Sequence, residues 1–351
     1  MPRKTGIVRD NRYLRHGAGI AHPESPRRLE AIHAMLDKPD MAGKFISIQP
    51  RYATHDEIAL VHDPRYIDLI AQTANQDCVV LDPDTETTSD TYDTAKLAVG
   101  GALSAVDAVM NGDVGNAFAI IRPPGHHAGT GHAAGFCIFN NIAIAARYAI
   151  SRYGLSRVLI ADWDLHHGDG TQSIFYNDKK VLYFSTHQFP AYPGTGFLTD
   201  VGHGEGAFYT INVPMKACGD NAMYVKAYRG LLQPVAMEFK PELVLVSAGF
   251  DIYEKDPLGD MKVTPTGFAA LTRIMMDIAD VVCDGHLVAV LEGGYHVTGV
   301  AESVKAVLNE MHDDTHYSED NLDRLEYEAD QGKDQTIRRV MEQVEPVWQV
   351  F

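Results

Sequence analysis

The sequence predicts an α/β fold with a mostly parallel central sheet and helices on both faces. Three observations carry this. First, short apolar runs recur along the chain: residues 118–121, 158–161, 181–186, 243–248 and 287–291. They do not alternate polar with apolar, so both faces of each strand are buried, as in a parallel sheet. Second, segments of helical periodicity separate them, the order expected when crossover helices cover such a sheet. Third, each run ends in glycine or in reactive polar residues. In sheets of this kind ligands bind outside the carboxyl ends of the strands.

In chain order, residues 5–9 read as a first strand, followed by a polar loop. Ser25 is a candidate N-cap and Pro26 a first helical residue, with Leu29, Ile32 and Leu36 at helical spacing. Residues 55–62 and 64–74 read as two helices, and 81–90 as a turn-rich loop without strand character. The Ala/Gly-rich stretch 92–110 predicts a closely packed helix, and further helices are expected at 142–153, 223–239, 265–283, 296–311 and 336–349. Residues 209–213 alternate like a strand. Residues 312–335 are acidic and polar and read as a surface excursion. No Pro-, Ser- or Gly-rich linker and no repeat divides the 351 residues, so one domain over 1–351 is expected.

Composition narrows the function. A hydrophobic content of 45% suits a sizeable core. Net charge is −17, from 47 acidic and 30 basic residues. That surface repels phosphate backbones, arguing against nucleic-acid binding, and would attract cationic substrates such as lysine-rich peptides or polyamines. Solubility explains the charge equally well. The four cysteines form no CxxC pair, which fits a reducing compartment. The N-terminus has no apolar leader segment and no run reaches membrane-spanning length, so a soluble cytoplasmic protein without membrane attachment is expected.

The chemistry concentrates after residue 161. Asp162, Asp164, His166, His167 and Asp169 fall within eight positions. If the strand continued, Asp162, Asp164 and His166 would share one face. Asp164 and His166 could then hold one divalent ion, with Asp162 serving a neighbouring site. A solvated acidic loop is the bland alternative; it fits poorly at the mouth of an apolar strand, where charges need partners. Asp251, a lone carboxylate at another strand end, is the best third ligand. Three ligands leave a fourth position open, as in catalytic zinc sites. His126 and His127, held between prolines and glycines, offer a general base that Asp162 and Asp169 can orient. Tyr295 follows two flexible glycines and offers a phenol that can swing onto an oxyanion. Solvated histidines and a core tyrosine are the weaker readings. His16 and His22 read as rim-capping rather than metal-linked, and His33, His55 and His62 as packing residues. Together the set is that of a metal-assisted amide hydrolase.

Arg122-Pro-Pro-Gly-His-His-Ala, Gly135-Phe-Cys-Ile-Phe-Asn-Asn, Asp162-Trp-Asp-Leu-His-His-Gly-Asp-Gly-Thr, Ser247-Ala-Gly-Phe-Asp and Glu292-Gly-Gly-Tyr resemble motifs of the histone deacetylase superfamily, which includes acetylpolyamine amidohydrolases. Ala21-His-Pro-Glu-Ser-Pro-Arg-Arg and Asp256-Pro-Leu-Gly resemble its class II branch, and the compact chain looks bacterial. The resemblance implies a three-layer arginase-like fold and zinc held by Asp164, His166 and Asp251. It implies that a metal-bound water attacks the amide carbonyl, with His127 as base and then acid. His126 would be its electrostatic neighbour, Asp162 and Asp169 would stand behind the two histidines, and Tyr295 would bond the acyl oxygen. It further implies a structural K⁺ on Asp162, Asp164, His166, Ser185 and Thr186. Gly135, Phe136 and Tyr192 would line a tunnel, with Asp84 and Leu258 at its rim. Polyamine-selective relatives carry Glu where Leu258 stands, and residues 76–91 lack the longer loop of bacterial polyamine enzymes. Deacetylation of acetyl-lysine in a peptide or protein is therefore the expected activity. The alternative is an acetylated polyamine or other small amide. A catalytically silent scaffold and a binuclear manganese hydrolase fit less well. Assembly as a homo-oligomer stays open.

Overall fold

The computed structural model describes residues 2–17, 19, 21–332 and 334–351. Ala18 and Ile20 of the loop after the first strand, and Lys333 of the acidic segment, therefore lie outside the described residues. The elements follow in order: β1 (Thr5–Val8), α1 (Arg27–Leu36), β2 (Ile46–Ile48), α2 (His55–Ile58), α3 (Pro64–Ala71), β3 (Val79–Asp82), β4 (Thr85–Thr87), α4 (Thr91–Met110), β5 (Asn116–Ala119) and α5 (Asn141–Tyr153). Then come β6 (Val158–Asp162), α6 (Asp169–Phe175), β7 (Val181–Gln188), β8 (Thr210–Met215), α7 (Asn221–Val225), α8 (Gln233–Phe239), β9 (Leu243–Ala248), α9 (Pro265–Val282), β10 (Leu287–Leu291), α10 (Val297–Met311), α11 (Glu319–Asp330) and α12 (Thr336–Val344).

Eight strands form one sheet in the order β2-β1-β5-β10-β9-β6-β7-β8, and every ladder in it is parallel. The apolar runs are buried on both faces; Val158–Asp162 and Leu243–Ala248 have no exposed residue. Helices α4 and α5 pack together on one face, while α1, α10, α9 and α7–α8 cover the other. This order sets β5, β10, β9 and β6 side by side. Neighbouring strands lie about 4.8 Å apart, so residues more than 100 positions apart in sequence meet at one edge.

Several local expectations change. Residues 81–90 are not a bare loop: β3 and β4 form an antiparallel hairpin. Strand β2, whose Ile46 is exposed, carries too little pattern to be legible. Helix α1 starts at Arg27, with Pro26 at the cap position and no side-chain cap from Ser25. Residues 221–239 are helical throughout, but Lys226–Leu232 is a π-helix between α7 and α8.

The acidic segment 312–335 is no loose excursion either. It contains α11, capped by the Ser318 side chain on the Asn321 N–H, with Leu322, Leu325 and Ala329 buried. Arg229 of the π-helix bonds Asp323 at 2.6 Å and Glu319 at 2.9 Å. Its polar face dominated the composition; three apolar residues at helical spacing dock it. Leu322→Ala is therefore expected to cost about 2–5 kcal/mol in urea unfolding and to speed amide exchange across 319–330.

Candidate active site

Strand β6 ends at Asp162, and residues 163–168 leave it as an irregular turn, so the shared strand face expected for Asp162, Asp164 and His166 does not form. The turn still sorts them as expected. Asp164 and His166 converge with Asp251 from the end of β9, while Asp162 points to a neighbouring position. His166 Nδ1 lies 3.2 Å from Asp164 Oδ1 and 3.1 Å from Asp251 Oδ2. Ligand atoms of the three lie within 4.8 Å of one another. For ligands about 2.0–2.2 Å from a tetrahedral ion, neighbouring donor atoms are about 3.3–3.6 Å apart. The donor set and its spacing thus fit one small divalent cation.

The second oxygens of both carboxylates are fixed by backbone. Gly293 N–H donates to Asp164 Oδ2 at 2.8 Å, and Leu165 N–H to Asp251 Oδ1 at 2.8 Å. The approach of β9 is close: a Cβ on Gly249 would lie 2.1 Å from Asp164 Oδ2. Any larger residue there would push a ligand out of place.

Electrostatics distinguish the tandem histidines. Burial disfavours the charged form of His126, but Asp164 and Asp162 outweigh it and hold its pKa well above the ordinary range. Its Nδ1 meets Asp162 Oδ2 at 3.1 Å, and Tyr183 donates its hydroxyl to the same oxygen at 3.0 Å. His127 is pushed the other way, down to about 4, first by burial and then by the adjacent His126. Its Nδ1 bonds Asp169 Oδ1 at 2.8 Å. The surroundings thus favour the charged form of His126 and the neutral form of His127. Burial, reinforced by Asp164, raises Asp251 to about 7, while the carboxylates overcome burial to raise His166 to about 10. The carboxylates around His166 thus favour positive charge at that position.

These groups face a cavity of about 390 Å³. His127, His166 and Tyr295 line it, with Phe136, Tyr192 and Leu258 nearer the surface. Tyr192 stands edge-on to His127, ring centroids 5.1 Å apart. Asp84 lines the cavity too, and its Oδ1 accepts the Gly135 N–H at 3.1 Å; Thr85 Oγ1 accepts the Phe136 N–H at 3.0 Å. The β3–β4 hairpin therefore holds one tunnel wall. Asp162 pairs with Ser185 across β6–β7, and Thr186 Oγ1 lies 3.5 Å from the Asp162 carbonyl oxygen. The residues expected to share a monovalent ion are thus neighbours.

His16 and His22 stand apart from the metal-ligand group. His16 bonds Thr91 Oγ1 at 2.9 Å, and His22 packs edge-on against Phe136 at 4.5 Å. His62 accepts the Asn140 N–H. Sequence reasoning missed the buried cluster behind the site. Glu24 accepts from Arg28 at 2.8 Å and from Arg122 Nη2 at 2.6 Å, and Arg28 also donates to the Gly294 carbonyl at 2.6 Å. It also missed Glu292, whose carboxylate takes the N–H groups of Gly125 and His126. Glu24 lies in the loop before α1, so helical spacing gives no signal for its pairing with Arg28.

A family model for the histone deacetylase domain matches residues 22–311. This chain belongs to the histone deacetylase family. The chain is 41% identical over 297 residues to a probable deacetylase of Archaeoglobus fulgidus, covering 84% of this chain and 82% of that one. It is 43% identical over 299 residues to the human polyamine deacetylase HDAC10, covering 80% of this chain but 43% of the relative. The solved HDA15 HD domain superposes with a TM-score of 0.89 at 36% identity, covering 99% of this chain and 96% of that one. The three-layer deacetylase fold is thereby shown, and the family's chemistry is amide deacetylation. No helix among the described residues is long and apolar enough to cross a membrane.

The Glu24 cluster makes a pH prediction. Burial opposes the Glu24 charge, but Arg122 and Arg28 outweigh it and hold its carboxyl well below the usual range. A depressed folded-state pKa contributes stability above the unfolded value, lost as pH falls through the folded one. Glu24→Gln should cost about 3–5 kcal/mol near neutrality by urea unfolding. That deficit should shrink as pH drops below about 4.3.

Proposed function

We propose that this deacetylase hydrolyses the acyl amide of acetyl-lysine side chains in a zinc-dependent reaction. The observation that carries the proposal is the convergence of Asp164, His166 and Asp251 beside a cavity that His166 lines together with His127 and Tyr295. A zinc ion held by those three residues would supply Lewis acidity, polarising the acyl oxygen and acidifying a water. His127, whose burial beside His126 favours its neutral form, takes a proton from the attacking water as the water oxygen adds to the carbonyl carbon. It then gives the proton to the departing amine nitrogen as the carbon–nitrogen bond breaks, leaving acetate and free lysine. Asp169 on Nδ1 fixes the tautomer that turns Nε2 towards the substrate. Asp162 accepts from His126 Nδ1 and favours the charged form of that ring. Tyr295 donates its phenol hydrogen to the acyl oxygen as negative charge grows there. Gly135, Phe136 and Tyr192 enclose the lysine methylenes, and Asp84 and Leu258 meet the substrate at the mouth. A potassium ion on Asp162, Asp164, His166, Ser185 and Thr186 would offset the negative charge below the site.

Acetylated polyamines are the second reading, favoured by the likeness to HDAC10 and by the acidic surface. Leu258, apolar and 41% exposed at the mouth, offers no charge to a second ammonium group. Turnover of an acetyl-lysine peptide against acetylputrescine, on metal-quantified protein, decides: the peptide should be preferred, and preference for acetylputrescine would overturn the assignment. Tyr295→Phe is expected to lower kcat on the order of 10²–10³-fold with metal content unchanged. Asp251→Ala should instead copurify with little metal by elemental analysis, since two donors cannot close the site. Near-normal turnover by Tyr295→Phe would remove the phenol from the mechanism.

A further inference from the structure

The turn Glu292-Gly293-Gly294-Tyr295 carries the phenol but has few side chains with which to anchor itself. Gly294 sits at φ +114, and a Cβ there would lie 2.6 Å from Phe250 Cβ. Only glycine fits, and glycine brings conformational freedom. The turn is nonetheless held from two sides. Arg28 donates to the carbonyl oxygens of Glu292 and Gly294, with its guanidinium 5.2 Å from the Tyr295 ring centroid. Opposite it, Asp256 Oδ2 accepts the N–H groups of Tyr295 at 2.6 Å and His296 at 3.0 Å. A cation grips the carbonyls and an anion grips the N–H groups.

Asp256 has a second attachment. Its Oδ1 accepts the N–H of Leu258 at 3.0 Å, and Leu258 is the apolar residue at the cavity mouth. The side chain is 6% exposed. Helix capping does not account for it. The first turn of α10 is capped by His296, whose Nδ1 accepts the Gly299 N–H at 2.9 Å. The two N–H groups that Asp256 takes lie before that helix begins. Burial pushes its carboxyl pKa up, against the three backbone donors that hold it charged.

We infer that Asp256 is a positioning residue that ties the rim residue Leu258 to the phenol of Tyr295, so that one carboxylate sets both the mouth of the tunnel and the donor at its base. The inference rests on the reading that Tyr295 donates to the acyl oxygen. A carboxylate has two acceptor oxygens and serves three donors here. An amide in its place has one acceptor oxygen and presents N–H to N–H on the other side. Asp256→Asn must therefore loosen one attachment or both. A displacement of about 1 Å at a catalytic group costs on the order of 10²-fold in rate.

The test is a double-mutant cycle on full-length, metal-quantified protein, using whichever of acetyl-lysine peptide or acetylputrescine the parent turns over. Asp256→Asn should lower kcat on the order of 10- to 100-fold and raise KM, with metal content retained. In the Tyr295→Phe background the kcat effect of Asp256→Asn should vanish, because the donor it positions is gone. The KM effect should persist, because Leu258 does not depend on the phenol. An equal fall in kcat in both backgrounds, or no fall in the parent, overturns the inference. If Tyr295→Phe alone leaves kcat near normal, it is the proposed mechanism that fails instead. Should Asp256→Asn not fold, Asp256→Glu, which keeps the charge and shifts the oxygens, goes through the same cycle with the same outcomes.

Discussion

Buried negative charge is the constraint on which this structure turns. Asp162, Asp164, Asp251 and Glu292 are all 0–1% exposed and crowd one edge of the sheet. Burying even one carboxylate without compensation is costly. The chain meets that cost in three ways. It places His126 among them, it aims backbone N–H groups at the free oxygens, and it gathers Asp164, His166 and Asp251 in the geometry of a metal site. Burial, reinforced by the neighbouring His126, favours the neutral form of His127. The electrostatics that make the edge expensive to fold are those that make it reactive.

Behind the reacting groups, the supports are largely polar and local to loops. Glu24 joins Arg28 to Arg122, and Arg28 in turn reaches the carbonyls before Tyr295. Glu292 holds the N–H groups that lead into His126. The β3–β4 hairpin supports Gly135 and Phe136 through Asp84 and Thr85. Rigid strands deliver the residues to the edge, and these bonds fix loops that the strands themselves leave free. That is how a site built mainly beyond strand ends keeps its geometry.

The legibility of the sequence follows physical lines. Apolar runs such as Val158–Ala161 and Leu243–Ala248 announce themselves because burial on both faces demands an unbroken pattern. Asp164, His166 and Asp251 stood out because charge at the end of an apolar run needs a reason. The hairpin at 79–87 overlaps the loop expected at 81–90, since Asp, Pro and Thr there follow turn chemistry while pairing decides the strands. Helix α11 was hidden by its acidic outer face. Tyr295 was read as free to swing; Arg28 and Asp256 hold its turn, and neither is near it in sequence.

By itself, then, the sequence determined which segments are buried strands, which positions carry reactive groups, and that these fall at one end of the strands. It did so because burial period and charge placement are properties of residues close together in the chain. Only the tertiary structure decided that β5, β10, β9 and β6 are neighbours, that β6 stops at Asp162, and which buried anion meets which cation. Those depend on strand order and on side chains arriving from as far as 98 residues away, and no local pattern encodes a distance between two separate loops.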